Sequence, residues 1–85
     1  MSADVRQLVT ACLADDPGAM DRLVDRFRDQ VVRACYRILG QWQDAEDVAQ
    51  ETFLRVARSL QHWDSEREFE PWLYAIAANR CRTLI

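Results

Sequence analysis

The 85-residue sequence contains no lysine, one histidine, two glycines and two prolines, and each scarcity excludes a class of protein. With so little glycine and proline, and with charge interrupting every apolar stretch, a sheet-rich fold, a collagen-like repeat and a membrane span are disfavoured. A single histidine excludes a metal site with two histidine ligands. There is also no glycine-rich phosphate loop and no paired nucleophile and base. We therefore expect no enzyme activity, no metal, no cofactor and no small-molecule substrate.

Cysteine is also scarce. Cys12, Cys35 and Cys81 are an odd number without a CxxC pair, which favours reduced, buried thiols over a disulfide framework or a zinc knuckle. The N-terminus has neither the basic stretch nor the apolar core of a signal peptide. We therefore expect a cytoplasmic protein without membrane insertion.

The residues that are abundant indicate one folded domain over residues 1–85. Hydrophobic residues make up 49% and charged residues 29% of the chain, a balance typical of a globular domain. All 11 basic residues are arginine, and the net charge is −3, which does not suit a protein that binds duplex DNA by charge alone. Residues 1–51 hold ten acids and six arginines, whereas residues 52–85 hold four acids and five arginines. This gradient suggests that the two ends face different partners.

Apolar residues recur at three- and four-residue steps in four stretches, which predicts four amphipathic helices. The first ends near Asp15, the second runs from about Ala19 to Leu39, the third ends at about Leu60, and the fourth begins at Phe69 after an irregular segment. The predicted fold class is all-α, a compact bundle of three to four helices.

Local signals mark the ends of these helices. Asp16 and Asp44 are predicted N-caps of the second and third helices, and Gly40 is predicted to end the second in a left-handed conformation. Ile38 and Leu84 continue the inward stripes of the second and fourth helices. We therefore expect both side chains in the core.

A second stripe of the third helix is separate from its core stripe. Five residues at i, i+3, i+4, i+7 and i+11 share one outward face: Asp47, Gln50, Glu51, Leu54 and Arg58. A solvated helix face with one exposed leucine is the simplest interpretation. The alternative is a docking surface, in which Leu54 is an apolar anchor and the carboxylates select a basic partner.

The irregular segment and the fourth helix also allow two interpretations. Trp63 and Phe69 either hold the segment against the core or form a cup with aromatic walls that holds an unstacked base. Asn79 is either an ordinary surface residue or, with Arg80 and Arg82 beside it, a contact to a nucleic-acid strand.

Two runs of residues carry a resemblance to a known family. The runs 44–55 and 69–80, the second containing the string WLYxIAxN, resemble region 2 of bacterial sigma factors of the extracytoplasmic-function (ECF) group. The resemblance continues backward from the first run through Tyr36 to residues 16–20 and so covers nearly the whole chain. It implies a sigma region 2-like helical fold and a role in transcription initiation, in which the domain recognises and melts the promoter minus-ten element.

The resemblance also implies two sets of contact residues. The helix over residues 44–58 would dock on the basic clamp helices of the RNA polymerase β′ subunit through Asp44, Asp47, Gln50, Glu51, Leu54 and Arg58. The segment and fourth helix would hold a base flipped from the single-stranded non-template strand of the promoter minus-ten element, and would follow that strand, through Trp63, Asp64, Ser65, Glu66, Arg67, Phe69, Trp72, Asn79, Arg80 and Arg82. An anti-sigma factor is a further expected partner. Since the domain that reads the minus-thirty-five element is missing, we expect the chain to be the N-terminal part of a longer protein.

Two departures from the family pattern keep a second function open. Ala75 stands where a basic residue often follows WLY, and the irregular segment carries Asp64, Glu66 and Glu68. Because a carboxylate can accept a hydrogen bond from the amine of cytosine, Asp64 or Glu66 is a candidate reader of a flipped cytosine. The alternative function is a helical protein-interaction module that binds polymerase or an anti-sigma factor without reading DNA.

Overall fold

The computed structural model describes residues 3–85, which contain four α-helices and one short 3₁₀ turn. They are α1 (Ala3–Leu13), α2 (Ala19–Leu39), α3 (Trp42–Ser59), the 3₁₀ turn (Leu60–His62) and α4 (Phe69–Leu84). This range contains no strand, so the predicted all-α class is confirmed. None of its helices combines the length and the apolar character that a membrane crossing requires.

The turn between α1 and α2 differs from the prediction in its capping residue. Asp15, two residues beyond the end of α1, has a φ of 57°, and the N–H groups of Asp15 and Asp16 donate to the carbonyls of Cys12 and Ala11 at 3.1 and 3.0 Å. These two bonds define a Schellman motif with aspartate in the left-handed position. The prediction that Asp16 caps α2 is wrong, because Gly18, at a φ of 79°, is the N-cap.

The turn between α2 and α3 confirms one predicted cap and corrects the other. Gly40 has a φ of 73°, and its N–H donates to the carbonyl of Tyr36 at 2.8 Å, as predicted for a left-handed end. Asp44 is not the N-cap of α3, because the helix begins earlier, at Trp42, whose ring packs edge-on against Tyr36 at 5.3 Å. Asp44 instead lies in the first turn, where its charge favours the positive end of the helix dipole.

The core lies where α2 packs against the other three helices and α3 packs against α4. Its largest fully buried side chains include Phe27, Phe69, Leu23, Leu73, Val5, Val9, Val31, Val48 and Val56. Ile38 and Leu84 were expected here, but they are 42% and 50% exposed. Both lie in the final turn of their helix, where the apolar stripe runs past the core.

The three cysteines of the described range are free thiols, and they differ in how deeply they are buried. Cys35 and Cys81 are buried, and Cys12 is partly buried. Burial raises the pKa of the Cys35 thiol to about 12, and its hydrogen bond with Cys81 adds to the effect. Cys35 is therefore protonated at neutral pH and a poor nucleophile.

Candidate functional site

The outward stripe of α3 is an open surface. Leu54 is 54% exposed, and Asp47, Gln50, Glu51 and Arg58 are also exposed. The opposite side of α3 anchors the helix through buried residues, among them Val48, Thr52 and Val56. Asp44, at the start of the same helix, is exposed too. The structure thus brings together all six residues predicted to contact polymerase on the solvent side of one helix.

An apolar groove between α2 and α3 runs alongside this stripe and shares Gln50 and Leu54 with it. Its other apolar lining residues are Met20, Val24, Ala49, Phe53 and Ala57, and the charged residues Asp21, Arg28 and Glu46 also line it. The α2 side of this groove was not predicted to be functional. Met20 and Val24 belong to the apolar stripe of the second helix, and that spacing predicts only that they face the core. The groove places apolar surface next to the exposed leucine.

A cup forms where the 3₁₀ turn, the following loop and the start of α4 meet. Its lining is His62, Trp63, Asp64, Arg67, Glu68, Pro71 and Trp72. Four of these residues were predicted DNA contacts, whereas His62, Glu68 and Pro71 were not. Ser65 and Glu66, which were predicted, are exposed but lie outside the lining. His62 was missed because the 3₁₀ turn that brings it to the cup is only three residues long, too short to show a periodic pattern in the sequence.

The aromatic side chains of this region mostly support the cup from behind. Phe69 is completely buried and Trp63 is 8% exposed, with their rings edge to face at 5.6 Å. Trp72 packs against Phe69 at 5.8 Å and keeps a partly exposed side chain. The expectation that Phe69 forms a wall of the cup is therefore corrected for this conformation, and Trp63 offers little surface. Trp72 is the aromatic ring that remains available to a ligand.

Asp64 organises the loop. Its Oδ1 accepts the backbone N–H of Glu66 at 3.0 Å, and its Oδ2 lies 3.6 Å from Nε of Arg67. Its carbonyl also accepts the N–H of Arg67 at 3.0 Å. From α1, Nη1 of Arg6 donates to the carbonyl of Ser65 at 3.4 Å. The Asp64 carboxylate is thus engaged in shaping the loop, which leaves less of it free to read a base.

Three predicted strand contacts of α4 are exposed, namely Asn79, Arg80 and Arg82. Each already has a hydrogen-bond partner within α4 or on α3. Nη1 of Arg82 donates to Oδ1 of Asn79, three residues earlier. Nε of Arg80 donates to Oε2 of Glu51 at 2.6 Å, and Nη1 of Arg80 donates to Oγ1 of Thr83 at 3.0 Å. The ion pair joins a residue predicted to bind DNA to one predicted to bind polymerase.

This ion pair spans a groove of about 650 Å³ between α3 and α4. The groove is lined by members of both predicted sets, namely Glu51, Leu54 and Arg58 on α3 and Asn79 and Arg80 on α4, together with Arg55. Three arginines against one carboxylate make it basic. The two predicted surfaces therefore adjoin, and the sequence gave no sign of this, because the predicted residues of α3 and α4 that line the groove lie more than twenty positions apart in the chain.

Comparison with known proteins agrees with this architecture. The family described as Sigma-70 region 2 matches residues 23–85. The ECF RNA polymerase sigma factor SigW of Bacillus subtilis is 35% identical over 79 residues, which are 93% of this chain and 42% of SigW. SigE of Mycolicibacterium smegmatis is 48% identical over 59 residues, which are 69% of this chain and 23% of SigE. The chain thus spans less than half the length of these relatives.

A solved structure matches almost the whole fold. It is the NMR structure of an engineered region 2 of sigmaE in complex with GTAAAA. The match has a TM-score of 0.86 at 32% identity and covers 99% of this chain and 90% of the other.

Proposed function

Because the chain belongs to the Sigma-70 region 2 family and is similar to ECF sigma factors, we propose that it docks on core RNA polymerase through α3 and captures promoter DNA with the cup and α4. Sigma factors are transcription initiation factors rather than enzymes. The observation that carries the proposal is that the acidic, leucine-bearing stripe of α3 and the cup beside Trp72 are both open on one small helical body.

The polymerase contact is supported by the chemistry of the stripe. Asp44, Asp47 and Glu51 present carboxylates along one helix, and Leu54 stands exposed among them. A basic helix of the polymerase β′ clamp would meet complementary charge there, with a central apolar anchor to exclude water. The apolar groove beside Leu54 offers space for a side chain of that partner.

The DNA contact is supported by the cup and the arginines of α4. A base flipped from the non-template minus-ten strand would enter the cup against Trp72, while Asn79, Arg80 and Arg82 would face the strand on which that base lies. Unstacking a base costs a few kcal/mol, and one aromatic platform returns about 1 to 3 kcal/mol. The domain would therefore trap an opened base but would hardly open a duplex unaided. Strand opening would depend on polymerase.

A second function, a protein-interaction module that no longer reads DNA, has its own support. Ala75 is exposed and supplies no phosphate contact, and the cup has two acids, Asp64 and Glu68, in its lining. Both proposals share the polymerase surface of α3 and differ in whether the cup binds a DNA strand. An anti-sigma factor that covers α3 is a partner common to both.

Charge reversal on the stripe tests the shared part of both proposals. We expect Asp47→Arg with Glu51→Arg to reduce capture of core polymerase at least about tenfold, since buried or close charge pairs at interfaces are worth roughly 1.5 kcal/mol or more. The measurement is a pull-down of purified core polymerase, with circular dichroism to show that helicity is kept.

The matched control is Asp25→Arg with Asp29→Arg, which makes the same charge change at the same spacing on exposed positions of α2. This control should capture polymerase as the unmodified chain does. Undiminished capture by the α3 variant, or equal loss in both variants, would remove the docking assignment.

A further inference from the structure

The ion pair between Glu51 and Arg80 connects the two surfaces of the proposed function. It is a contact between α3 and α4, separated by 29 positions in the chain, with Nε of Arg80 only 2.6 Å from Oε2 of Glu51. The two side chains are 44% and 49% exposed, so each is open to a competing partner. Glu51 belongs to the stripe of α3, and Arg80 to the strand-facing side of α4.

We propose that this ion pair is a latch that withholds the Arg80 guanidinium from DNA until Glu51 is engaged by a basic partner. The proposal rests on the proposed function, because it assumes that α3 meets a basic polymerase surface and that α4 meets a phosphate backbone. It adds that the two events are coupled through one carboxylate.

In the absence of a partner the latch is closed, and the hydrogen bonds of Arg80 determine what it can still offer to DNA. A guanidinium has five N–H groups, and it binds a phosphate best through two parallel donors. Here Nε is committed to Glu51 and Nη1 to Thr83, and the carboxylate of Glu51 stands beside the edge of the guanidinium that carries Nε. A phosphate approaching that edge meets a negative charge in the position it would occupy. Three N–H groups remain on Nη1 and Nη2, but the edge that carries Nε is occupied and Glu51 offsets the positive charge, so we expect Arg80 to bind a phosphate more weakly while the pair is closed.

The open state needs only a modest competitor. Exposed ion pairs contribute little to stability, so a basic side chain that reaches Glu51 can replace Arg80 as its partner. Arg80 would then turn toward the basic groove that it shares with Arg55 and Arg58, where a phosphate is the complementary ligand. By linkage, any partner that favours the open state strengthens DNA binding, and DNA strengthens the partner in return.

A variant that removes the carboxylate imitates the engaged state. We expect Glu51→Ala to raise the affinity of the 85-residue chain for fluorescein-labelled single-stranded GTAAAA by about three- to fivefold, the range that an exposed pair allows. The slope of log K against log salt concentration should become more negative by about 0.7, the value of one added phosphate contact on single-stranded nucleic acid. Fluorescence anisotropy over a series of salt concentrations measures both quantities.

Two controls separate the latch from a general effect of charge. Glu46→Ala removes another exposed carboxylate of α3 that is not paired with Arg80, and it should raise affinity by less than about twofold with no change of slope. Arg80→Gln should abolish the gain when combined with Glu51→Ala, so that the double variant binds the oligonucleotide no more tightly than Arg80→Gln does. An equal gain in Glu46→Ala, or a gain that persists in the double variant, would overturn the latch while leaving DNA binding itself intact.

A different result would reject the proposed DNA capture on which the latch rests. If neither the unmodified chain nor Glu51→Ala binds the oligonucleotide at the lowest salt, DNA capture and the latch are rejected together. The latch is supported only by a gain and a steeper slope that both require Arg80.

Discussion

At the scale of single residues, Asp15 has an unfavourable backbone conformation. It adopts a φ of 57°, a region that glycine occupies freely and other residues occupy at a cost. Its carboxylate also lies at the negative end of the α1 dipole. The two glycines of the chain occupy the other left-handed positions, at Gly18 and Gly40.

Replacing Asp15 by glycine should stabilise the fold. We expect Asp15→Gly to raise the free energy of unfolding by about 0.5 to 1 kcal/mol, because the left-handed strain and the unfavourable dipole contact disappear together. Urea unfolding followed by circular dichroism measures the change. The neighbouring Ala14→Gly, at a position without positive φ, should give no gain. A gain of the same size in Ala14→Gly would show that backbone strain at Asp15 is not the cause.

Residue patterns predicted some positions and not others for a physical reason. Gly40 was predictable because a left-handed helix end is a local property of the backbone. The burial of Phe69 was not, since an aromatic residue beside a polar loop has the same local pattern whether it faces the core or a ligand. Only the packing of Phe69 against Phe27 and Trp63, from other parts of the chain, decides between them.

At the scale of elements, the loop that follows the 3₁₀ turn is shaped by contacts of Asp64. Asp64 supplies the acceptor for the N–H of Glu66 and lies near Arg67, and α1 adds one bond through Arg6. Asp64 thus contacts two of the residues that follow it in the loop. The cup therefore depends on Asp64 for its form as much as on Trp72 for its wall.

Asp64 variants separate its hydrogen bond from its charge. We expect Asp64→Ala to speed amide hydrogen exchange at Glu66 and Arg67 while costing no more than about 1.5 kcal/mol of overall stability, the value of one ordinary hydrogen bond. Asp64→Asn keeps an oxygen acceptor and should retain most of the protection. If both variants exchange alike, the carboxylate charge and not the turn holds the loop.

The helices themselves were largely predictable, and their relative placement was not. The spacing of Asp47, Gln50, Glu51 and Leu54 predicted one outward face, and the structure has them exposed together. The start of α3 was predicted three residues late, with Asp44 rather than Gln41 as the N-cap, because the packing of Trp42 on Tyr36 outweighs the capping preference of Asp44. The groove between α3 and α4 depends on how two helices cross, which periodicity within one helix does not contain.

At the scale of the whole molecule, two buried thiols lie where α2 and α4 come together. Cys35 and Cys81 are both buried, and the pKa of Cys35 is raised to about 12 by burial first and by the hydrogen bond with Cys81 second. The folded state thus keeps a proton that the unfolded chain releases near the ordinary value of 9.0. Stability from this source is fully present below pH 9 and decreases as the pH rises toward 12.

Alkaline titration should show this linkage. We expect the free energy of unfolding to decrease from about pH 9 upward, and Cys35→Ala to decrease less steeply over the same range although it is less stable at neutral pH. Urea unfolding at several pH values measures the slopes. Parallel slopes for the two proteins would exclude Cys35 as the source.

The most direct test of strand capture by the cup uses the three tryptophans as separate reporters. Trp72 lies at the cup, Trp63 is buried beneath it, and Trp42 is exposed at the start of α3. In a ¹H–¹⁵N spectrum of the indole groups, titration with single-stranded GTAAAA should shift the Trp72 signal and leave the Trp42 signal in place. A shift of Trp42 with none at Trp72, or no shift of any indole at low salt, would contradict strand capture by the cup.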